Sequence, residues 1–459
     1  MRRAIAFPFF IPRTEFAASL MRLLIIQPSH YRSPSERVVF KSKRRSVVPL
    51  TLPYLAALTP PEWTMRLIDE QLEDIDYAAP VDLVAISCWT LHSVRAYDIA
   101  ARFRARGVKV VIGGPHAFFY NEEALDHCDA VAIGEAEPIW PTLLADAAAG
   151  RLQQVYRAEP LQNLAGLPAP RYDLLDMRRY GPFRTFTLQS SRGCPFQCDF
   201  CSERLYLGGR YRWRPAAEVA EEIRRCGGRN LFFGESNFGG NKPRALELME
   251  AMIPLKVRWS TLWSSHLCLD TDFLDLAVRS GVLHVNIGIE SIDDATLKAM
   301  RKTANKVNRY DEMVANLRKR GISFSLNFIF GWDGESPTVF DSTLEFLERN
   351  KVPAAYFNIL TPTRGTKLYE EYLAAGRILD PESIDRWPGQ LCQIRPEQGS
   401  PAEMEGHIQQ MYRRFYSLPS MLRRLPPPLT QANIASWVIN WSERRMHGSA
   451  QGNNDFDGY

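Results

Sequence analysis

The sequence predicts an α/β protein in which a doubly wound parallel sheet is followed by a partial (β/α)6 barrel and a mostly helical C-terminal region. Short apolar runs rich in Val and Ile alternate with segments of helical period in two separate stretches of the chain. A stretch with four prolines and little periodicity lies between them. The chain has 459 residues, of which 45% are hydrophobic, so it is long enough for two or three domains.

The first alternating stretch covers residues 21–150. Each of its apolar runs is too short for a helix, and Gly107 follows a helical segment where a C-cap is expected. Strands are predicted at Leu23–Ile26, Arg66–Ile68, Leu83–Ser87, Val108–Ile112 and Ala130–Ile133, and helices at Pro53–Leu58 and Val94–Arg106. This alternation predicts the doubly wound parallel sheet.

The second alternating stretch covers residues 184–371, after a predicted linker at 151–183. Strands are predicted at Thr185–Gln189, Asn230–Phe233, Val257–Leu262, His284–Ile289, Ser323–Phe330 and Ala355–Leu360. Helices are predicted at Pro215–Cys226, Pro243–Ile253, Thr271–Ser280, Tyr310–Lys319 and Thr338–Glu348. Six β/α units indicate a partial barrel, whose functional residues should follow the C-terminal ends of its strands. Residues 372–459 are predicted to be helical and irregular, with a disordered tail.

Charge and composition narrow the class of protein. The chain has 56 basic and 52 acidic residues, a balance that does not favour nucleic acid as a partner. No run of about 18 apolar residues is present, so no transmembrane segment is predicted. Pro8 and Pro12 interrupt an apolar run in residues 1–20 and argue against a secretion signal. Met21 stands directly before a strand-like run, so residues 1–20 are expected to be either a disordered extension or a misplaced start. Eight cysteines are too few for a disulfide framework, so a reducing compartment, the cytoplasm, is expected.

Three cysteines stand together in the loop that follows the first predicted barrel strand. Cys194, Cys198 and Cys201 are spaced so that three thiolates can hold one face of an iron–sulfur cube and leave one iron without a protein ligand. A structural zinc site is one alternative, but it needs a fourth ligand, and the nearest residues are Cys226 and His266. Three unrelated buried cysteines are the other alternative.

The segment with these cysteines resembles the radical S-adenosylmethionine superfamily, whose signature is CxxxCxxC with an aromatic residue, here Phe200, before the last Cys. The resemblance implies a [4Fe–4S] cluster on Cys194, Cys198 and Cys201. It also implies S-adenosylmethionine on the open iron, cleaved reductively to a 5′-deoxyadenosyl radical that abstracts hydrogen from an unactivated carbon. An electron donor such as flavodoxin or ferredoxin is implied as a partner.

Further loops on the same rim match this family. An acidic Glu235 can accept a hydrogen bond from the methionine ammonium, although a solvated turn would have the same sequence. The segment from Gly288 to Ser291 resembles the family's GIES motif near the ribose, although Glu290 could simply cap the next helix. The residues that the resemblance assigns to S-adenosylmethionine are Gly234, Glu235, Asn237, Glu290, Ser291, Gly331 and Pro362.

The first stretch is similar to the cobalamin-binding domain of cobalamin-dependent radical S-adenosylmethionine enzymes. Glycines at strand ends allow close approach of a ligand, and the absence of GxGxxG argues against a plain nucleotide domain. The DxHxxG element is also absent, so no histidine of this chain is expected on cobalt, and His30 and His116 are expected to be structural or hydrogen-bonding. The residues assigned to cobalamin are Ser87, Thr90, Gly113, Gly114, Pro115, His116, Gly134 and Glu135.

The resemblance implies a C-methyltransferase that acts on an unactivated carbon of a small molecule or lipid. The methylase-like subgroup that the chain resembles includes hopanoid methylases and magnesium-protoporphyrin ester cyclases. Two alternatives remain at this stage: a radical enzyme that does not transfer methyl, such as an oxidative cyclase acting on a tetrapyrrole, and a cobalamin- or redox-sensing protein without catalysis.

The sequence does not identify the substrate. Aromatic residues are compatible with a large apolar one, although core packing explains such residues more often; they are Trp259, Trp263, Trp332, Trp387, Tyr412, Phe415, Tyr416, Trp437 and Trp441. Residues 432–441, followed by Arg444 and Arg445, could contact a membrane surface, although packing against the barrel is the favoured interpretation.

Overall fold

The computed structural model describes residues 21–33, 36–302, 304–382 and 388–447. The predicted extension 1–20, the predicted disordered end of the chain beyond 447, and Trp387 lie outside the described residues. The strands are β1 Met21–Gln27, β2 Tyr31–Ser33, β3 Glu36–Val39, β4 Arg45–Val48, β5 Trp63–Asp69, β6 Leu83–Ser87, β7 Lys109–Gly113, β8 Ala130–Ile133, β9 Val155–Arg157, β10 Tyr180–Leu188, β11 Ser191–Arg192, β12 Arg212–Trp213, β13 Asn230–Phe233, β14 Arg258–Trp263, β15 Val282–Glu290, β16 Ser323–Phe330 and β17 Ala354–Ile359.

Helices follow most strands of both stretches. They are α1 Thr51–Leu58, α2 Ser93–Arg104, α3 Pro115–Phe119, α4 Asn121–His127, α5 Trp140–Ala148, α6 Glu203–Leu207, α7 Ala216–Cys226, α8 Lys242–Met252, α9 Thr271–Ser280, α10 Asp294–Ala299, α11 Tyr310–Lys319, α12 Val339–Arg349, α13 Lys367–Ala374, α14 Pro401–Phe415, α15 Leu418–Arg424 and α16 Gln431–His447. No helix in the described part of the chain is long and apolar enough to cross a bilayer.

The first sheet is parallel throughout, with strand order β5-β1-β6-β7-β8-β9. Alternate residues of β1 enter different cores: Leu23 and Ile25 pack with α1 and α5, whereas Leu24 and Ile26 pack with α2 and α4. Helices therefore cover both faces, which confirms the predicted doubly wound sheet.

The sixth strand of this sheet, β9, lies within the stretch that was predicted to be a linker. Val155 pairs with Val131 of β8, and Tyr156 is buried. The predicted linker 151–183 therefore includes an ordered strand of the first sheet, which the sequence did not indicate because three residues are too few to show an alternating pattern.

The second sheet has seven parallel strands in the order β17-β16-β15-β14-β13-β10-β4 and does not close. Its six β/α units confirm the predicted partial barrel. The seventh strand, β4, comes from the first stretch: Val47 pairs with Thr185 and Val48 with Phe186. The face of the first sheet that packs with α1 and α5 therefore shares one continuous hydrophobic core with the barrel.

The C-terminal region is helical, as predicted, and it covers the open edge at β17. The hydroxyl of Tyr412 accepts a hydrogen bond from the Phe357 amide (3.0 Å), and that of Tyr416 accepts one from the Ala355 amide (3.2 Å). The Tyr416 hydroxyl also donates to the Ala355 carbonyl at 2.7 Å. Side chains from α14 and its C-cap therefore pair backbone groups that an edge strand would leave free.

Candidate functional site

A cavity of about 1180 Å³ lies where the carboxyl ends of the two sheets face each other. Its walls come from β6, β7 and β8 of the first sheet, from all seven strands of the barrel sheet and from the C-terminal helices α14 and α16. Ligands of parallel α/β sheets bind at this end of the strands. The arrangement provides one enclosed space that both predicted cofactor sites could share.

The cysteine loop leaves the barrel through a backbone position that only glycine tolerates. Gly193 has φ +82°, and a Cβ there would lie 2.3 Å from the Arg210 carbonyl oxygen. Beyond it, Cys194, Cys198 and Cys201 are all partly exposed and free of disulfides. Burial raises the pKa of Cys198, and it raises that of Cys201 to about 11. A bound metal, or a positive charge nearby, favours the thiolate form of such thiols.

Lys302 provides that charge, and the sequence reasoning missed it. Its ammonium lies 5.7 Å from the centre of the Phe200 ring, and its charge opposes the rise in the pKa of Cys198. Among the described residues, no group of three His, Cys, Asp or Glu side chains is arranged to hold a single metal ion. The three thiols share one loop beside a cation, which suits a cluster whose irons each take one thiolate.

Lys302 also pairs with Glu290, at 2.7 Å between Nζ and Oε1. Glu290 has φ +62°, which is unusual for a residue with a side chain. It does not cap the next helix, because the Asp293 carboxylate accepts the capping bond from the Thr296 amide. Ser291, the next residue predicted for S-adenosylmethionine, uses its hydroxyl to accept from the Asp293 amide. Glu290 therefore lies on the cluster side of the rim, already paired with a cation.

Buried polar atoms without partners gather after β13. Glu235 accepts a hydrogen bond from the Ser190 hydroxyl (2.5 Å) through Oε1, whereas its Oε2 has no hydrogen-bond partner among the described residues. The Ser236 hydroxyl and both side-chain amide atoms of Asn237 are likewise buried without a partner. Burial raises the pKa of Glu235. Unsatisfied buried polar groups are rare, so this group fits the amino acid end of S-adenosylmethionine, which would supply the missing partners.

Of the seven residues predicted for S-adenosylmethionine, Gly234 and Glu235 line the cavity, whereas Asn237, Glu290, Ser291, Gly331 and Pro362 do not. Gly331 has φ +103°, and its amide donates to Glu335 Oε2 at 2.8 Å. Pro362 is buried in the loop after β17. Glu335, which the sequence reasoning missed, is a buried carboxyl whose Oε1 has no partner, and burial raises its pKa to about 7.

Six of the eight residues predicted for cobalamin line the cavity, and Thr90 and His116 do not; the six are Ser87, Gly113, Gly114, Pro115, Gly134 and Glu135. His116 is completely buried, and its Nε2 lies 2.5 Å from the Tyr97 hydroxyl. Its assignment to the cobalamin site needs correction, because its ring is enclosed in the core of the first sheet. The structural role expected for this histidine fits that position.

Gly114 and Gly134 were predicted to allow close approach of a ligand, but the structure shows a second requirement for glycine at both positions. A Cβ on Gly114 would lie 2.8 Å from the Cys88 carbonyl oxygen, and one on Gly134 would lie 2.6 Å from the Ala158 carbonyl oxygen. Both residues have positive φ. The protein's own backbone therefore requires glycine at these two positions, whatever ligand lies beside them.

Glu135 lines the cavity, but its carboxylate is already engaged. It forms ion pairs with Arg212 (2.6 Å) and Arg192 (3.4 Å) and accepts from the Leu161 amide. Glu137 pairs with Arg192 at 2.5 Å and accepts from the Tyr54 hydroxyl. All four charged groups are buried, so the Gly-Glu-Ala-Glu element binds the cysteine-bearing loop rather than offering free carboxylates to a ligand.

The wall of the first sheet fits a large flat ligand. Ala85, Gly113 and Ala132 line the cavity on three adjacent strands, so this wall carries little side-chain bulk. A cavity of this size exceeds the 300 to 1,000 Å³ or so that holds a drug-sized molecule. Both features suit cobalamin, which has a broad ring and a long nucleotide tail.

The barrel wall contributes residues that the sequence reasoning did not identify. Asn286, Asn327 and Asn358 line the cavity from β15, β16 and β17. Tyr412, one of the aromatic residues already named from the sequence, lines it from α14. Trp259 and Trp263 are buried in the core instead. Polar side chains on alternate strand positions are not distinctive in sequence, because any half-exposed strand shows them.

Comparisons with known proteins agree with these two sites. The radical SAM superfamily model matches residues 188–347, and the B12 binding domain model matches residues 51–144. An uncharacterized methyltransferase of Pyrococcus horikoshii is 30% identical over 399 residues, which cover 78% of this chain and 85% of that protein. Bacteriochlorophyllide d C-12(1)-methyltransferase of Chlorobaculum tepidum is 28% identical, over 93% of this chain and 94% of that one.

A solved structure shows the same architecture. The radical S-adenosylmethionine methyltransferase TsrM from Kitasatospora setae, with cobalamin and a [4Fe–4S] cluster bound, has a TM-score of 0.63 at 17% identity. The likeness covers 93% of this chain and 89% of that one. The family models, the relatives and the shared architecture together show that this chain belongs to the radical S-adenosylmethionine enzymes that carry an N-terminal cobalamin-binding domain.

Proposed function

We propose that the chain is a cobalamin-dependent C-methyltransferase that acts on an unactivated carbon of a small molecule or lipid. The single cavity that joins the rims of both sheets carries this proposal, because a methyl donor, a radical source and a substrate carbon must meet away from water. When bound, the cluster with S-adenosylmethionine supplies the radical that removes hydrogen, and cobalamin supplies the methyl group.

In this proposal Cys194, Cys198 and Cys201 hold the cluster, and Lys302 balances part of its negative charge. Glu235 and Asn237, whose buried atoms lack partners, hold the methionine end of S-adenosylmethionine. The other rim residues shape that pocket: Gly234, Glu290, Ser291, Gly331 and Pro362. The cobalamin site consists of Ser87, Gly113, Gly114, Pro115 and Gly134, with Glu135 as a structural support.

The electron for S-adenosylmethionine cleavage would come from flavodoxin or ferredoxin. We place the reaction in the cytoplasm, because the eight cysteines are all free thiols. Bacteriochlorophyllide d is the first substrate to try, since the relative that matches 93% of this chain is a methyltransferase of that pigment.

The decisive test is anaerobic reconstitution of the full chain with iron and sulfide, followed by S-adenosylmethionine and dithionite. We expect 5′-deoxyadenosine from the wild type and none from Cys198→Ala, which should also lose the brown chromophore. Cys226→Ala is the matched control, because Cys226 lies at the end of α7 and should leave the cluster intact. Normal cluster content in Cys198→Ala would contradict the assignment of the ligands.

Methyl transfer is tested by product mass. With S-adenosylmethionine that carries a deuterated methyl group, the product should gain one labelled methyl in place of one hydrogen. Formation of 5′-deoxyadenosine with a product that gains no methyl would support the oxidative cyclase instead. Cobalamin that fails to remain with the chain on gel filtration would also contradict the proposal.

A further inference from the structure

Helix α16 has its polar face inward and an apolar stripe outward. Its buried residues are Ser436, Asn440 and Glu443. Ile434, Val438 and Trp441 are 47%, 63% and 51% exposed. An ordinary surface helix has the reverse arrangement, with its apolar face against the core.

Hydrogen bonds hold α16 in this orientation. The Ser436 hydroxyl lies 2.8 Å from the Ser323 hydroxyl, near the start of β16. Asn440 donates to the Pro353 carbonyl at 2.7 Å and accepts from Arg424 at 3.1 Å. Rotation of the helix to bury its apolar stripe would break all of these bonds, which lie in the protein interior. The outward apolar stripe is therefore built into the fold.

The stripe runs along the edge of the cavity. Residues 434, 438 and 441 share one helix face, and Arg445, one turn further, continues it. Val438 belongs to both the stripe and the cavity wall, which Ile439 and Met446 extend. Three more exposed leucines precede the helix in the chain, at Leu418, Leu422 and Leu429. Contiguous exposed apolar surface of this kind marks an interaction site.

The chain segment that carries the stripe is basic. Residues 413–447 contain six arginines and one acidic residue, Glu443, which is buried. Arg424 is also buried, and Arg414 and Arg423 pair with Asp341 and Glu348 of α12, which leaves Arg413, Arg444 and Arg445 without a carboxylate partner among the described residues. Arg445 is exposed and makes no ion pair with any residue in the described part of the chain. An apolar helix face with a tryptophan and flanking arginines suits a bilayer with anionic headgroups, because the apolar groups enter the acyl boundary and the arginines meet phosphates.

We propose that the α16 stripe docks on an anionic lipid bilayer, and that an apolar substrate passes from the bilayer over Val438 into the cavity. Docking itself needs no catalysis; only the passage of substrate rests on the proposed function. A protein partner or a second copy of the chain would need complementary acidic charge, and the stripe itself carries none.

Sedimentation of the full chain with lipid vesicles tests docking. We expect binding to vesicles of phosphatidylcholine with phosphatidylglycerol, weaker binding to phosphatidylcholine alone, and partial release by salt. Replacement of two stripe residues outside the cavity wall, Ile434→Ser with Trp441→Ser, should reduce partitioning about tenfold or more. Phe183→Ser is the matched control, because Phe183 is 84% exposed on β10 and should not affect binding.

Thermal melting checks that each variant is folded. If the double variant is unfolded, Arg445→Glu serves as a second variant that should also bind the anionic vesicles less. Absence of wild-type binding to the anionic vesicles, or equal binding by the folded double variant, would overturn the proposal. A wild-type dimer that the double variant turns into a monomer, without vesicle binding, would assign the stripe to self-association instead. A chain that binds vesicles but forms no 5′-deoxyadenosine would support docking while contradicting the proposed function.

Discussion

Glu235 and Glu335 are both buried carboxyl groups near the rim of the barrel, and burial raises the pKa of each. Each has one oxygen held by the protein and one without a partner. Glu235 lines the cavity, whereas Glu335 holds the backbone of the loop after β16. The two carboxyl groups should therefore respond differently to the same substitution.

Glu235→Gln should weaken the binding of S-adenosylmethionine. Loss of a charge-assisted hydrogen bond to the ammonium costs about 1.5–3 kcal/mol, or roughly ten- to a hundredfold in affinity. Calorimetric titration of the reconstituted chain measures this, with cluster absorbance expected to be unchanged. Glu222→Gln is the control, since Glu222 is a buried carboxylate paired with Arg214 away from the cavity. Unchanged affinity in Glu235→Gln would contradict the assigned role.

Glu335→Gln should change how stability depends on pH. The folded chain holds the Glu335 proton up to a pKa of about 7, above its ordinary value of 4.5, so the folded state binds more protons in that window. Stability should fall as pH rises from about 4.5 to 7, by up to roughly 3 kcal/mol.

In Glu335→Gln this fall should disappear. Urea unfolding at several pH values measures it, with Glu250→Gln on the exposed side of α8 as the control. The same decline in both variants would show that another group is responsible.

At the scale of elements, the covered edge of the barrel sheet depends on tyrosine hydroxyls. Tyr416→Phe removes both bonds to Ala355 and leaves a buried amide and carbonyl without partners. We expect a loss of about 1–3 kcal/mol in the free energy of unfolding, measured by denaturant titration. Tyr369→Phe on α13 should change it little, because that hydroxyl has no hydrogen-bond partner among the described residues. Equal stability of the two variants would contradict the edge-pairing role.

At the scale of the whole molecule, buried ion pairs join the loop after β8 of the first sheet to the two-stranded sheet β11–β12 beside the cysteine loop. Glu135 and Glu137 follow β8, whereas Arg192 lies directly before the cysteine loop and Arg212 pairs beside it on β12. The cobalamin edge and the cluster loop therefore have a fixed relation across the cavity. Cofactors on the two sides can act on one carbon only if this relation is kept.

Glu135→Ala should destabilise the chain by about 3–5 kcal/mol, because it leaves the buried Arg212 without a carboxylate partner. A double-mutant cycle with Arg212→Ala measures the coupling, which should be well above that of the exposed pair Arg309 and Glu312. A coupling energy for Glu135 and Arg212 no larger than that for Arg309 and Glu312 would contradict the proposal that this ion pair holds the two segments together.

The sequence by itself determined the elements and the cluster loop. Short Val- and Ile-rich runs, helical periods and the spacing of Cys194, Cys198 and Cys201 are local patterns, and local patterns follow from backbone geometry. The predicted helices α9 and α11 therefore coincide with the observed ones.

Only the tertiary structure decided which distant segments meet. The addition of β4 to the barrel sheet joins Val48 to Phe186, and the ion pair of Glu135 with Arg212 likewise joins residues that are far apart in the chain. Such contacts depend on loop closure and on the shape of the whole core, which no local pattern contains. For the same reason the burial of His116 and the outward apolar stripe of α16 became visible only in the folded chain.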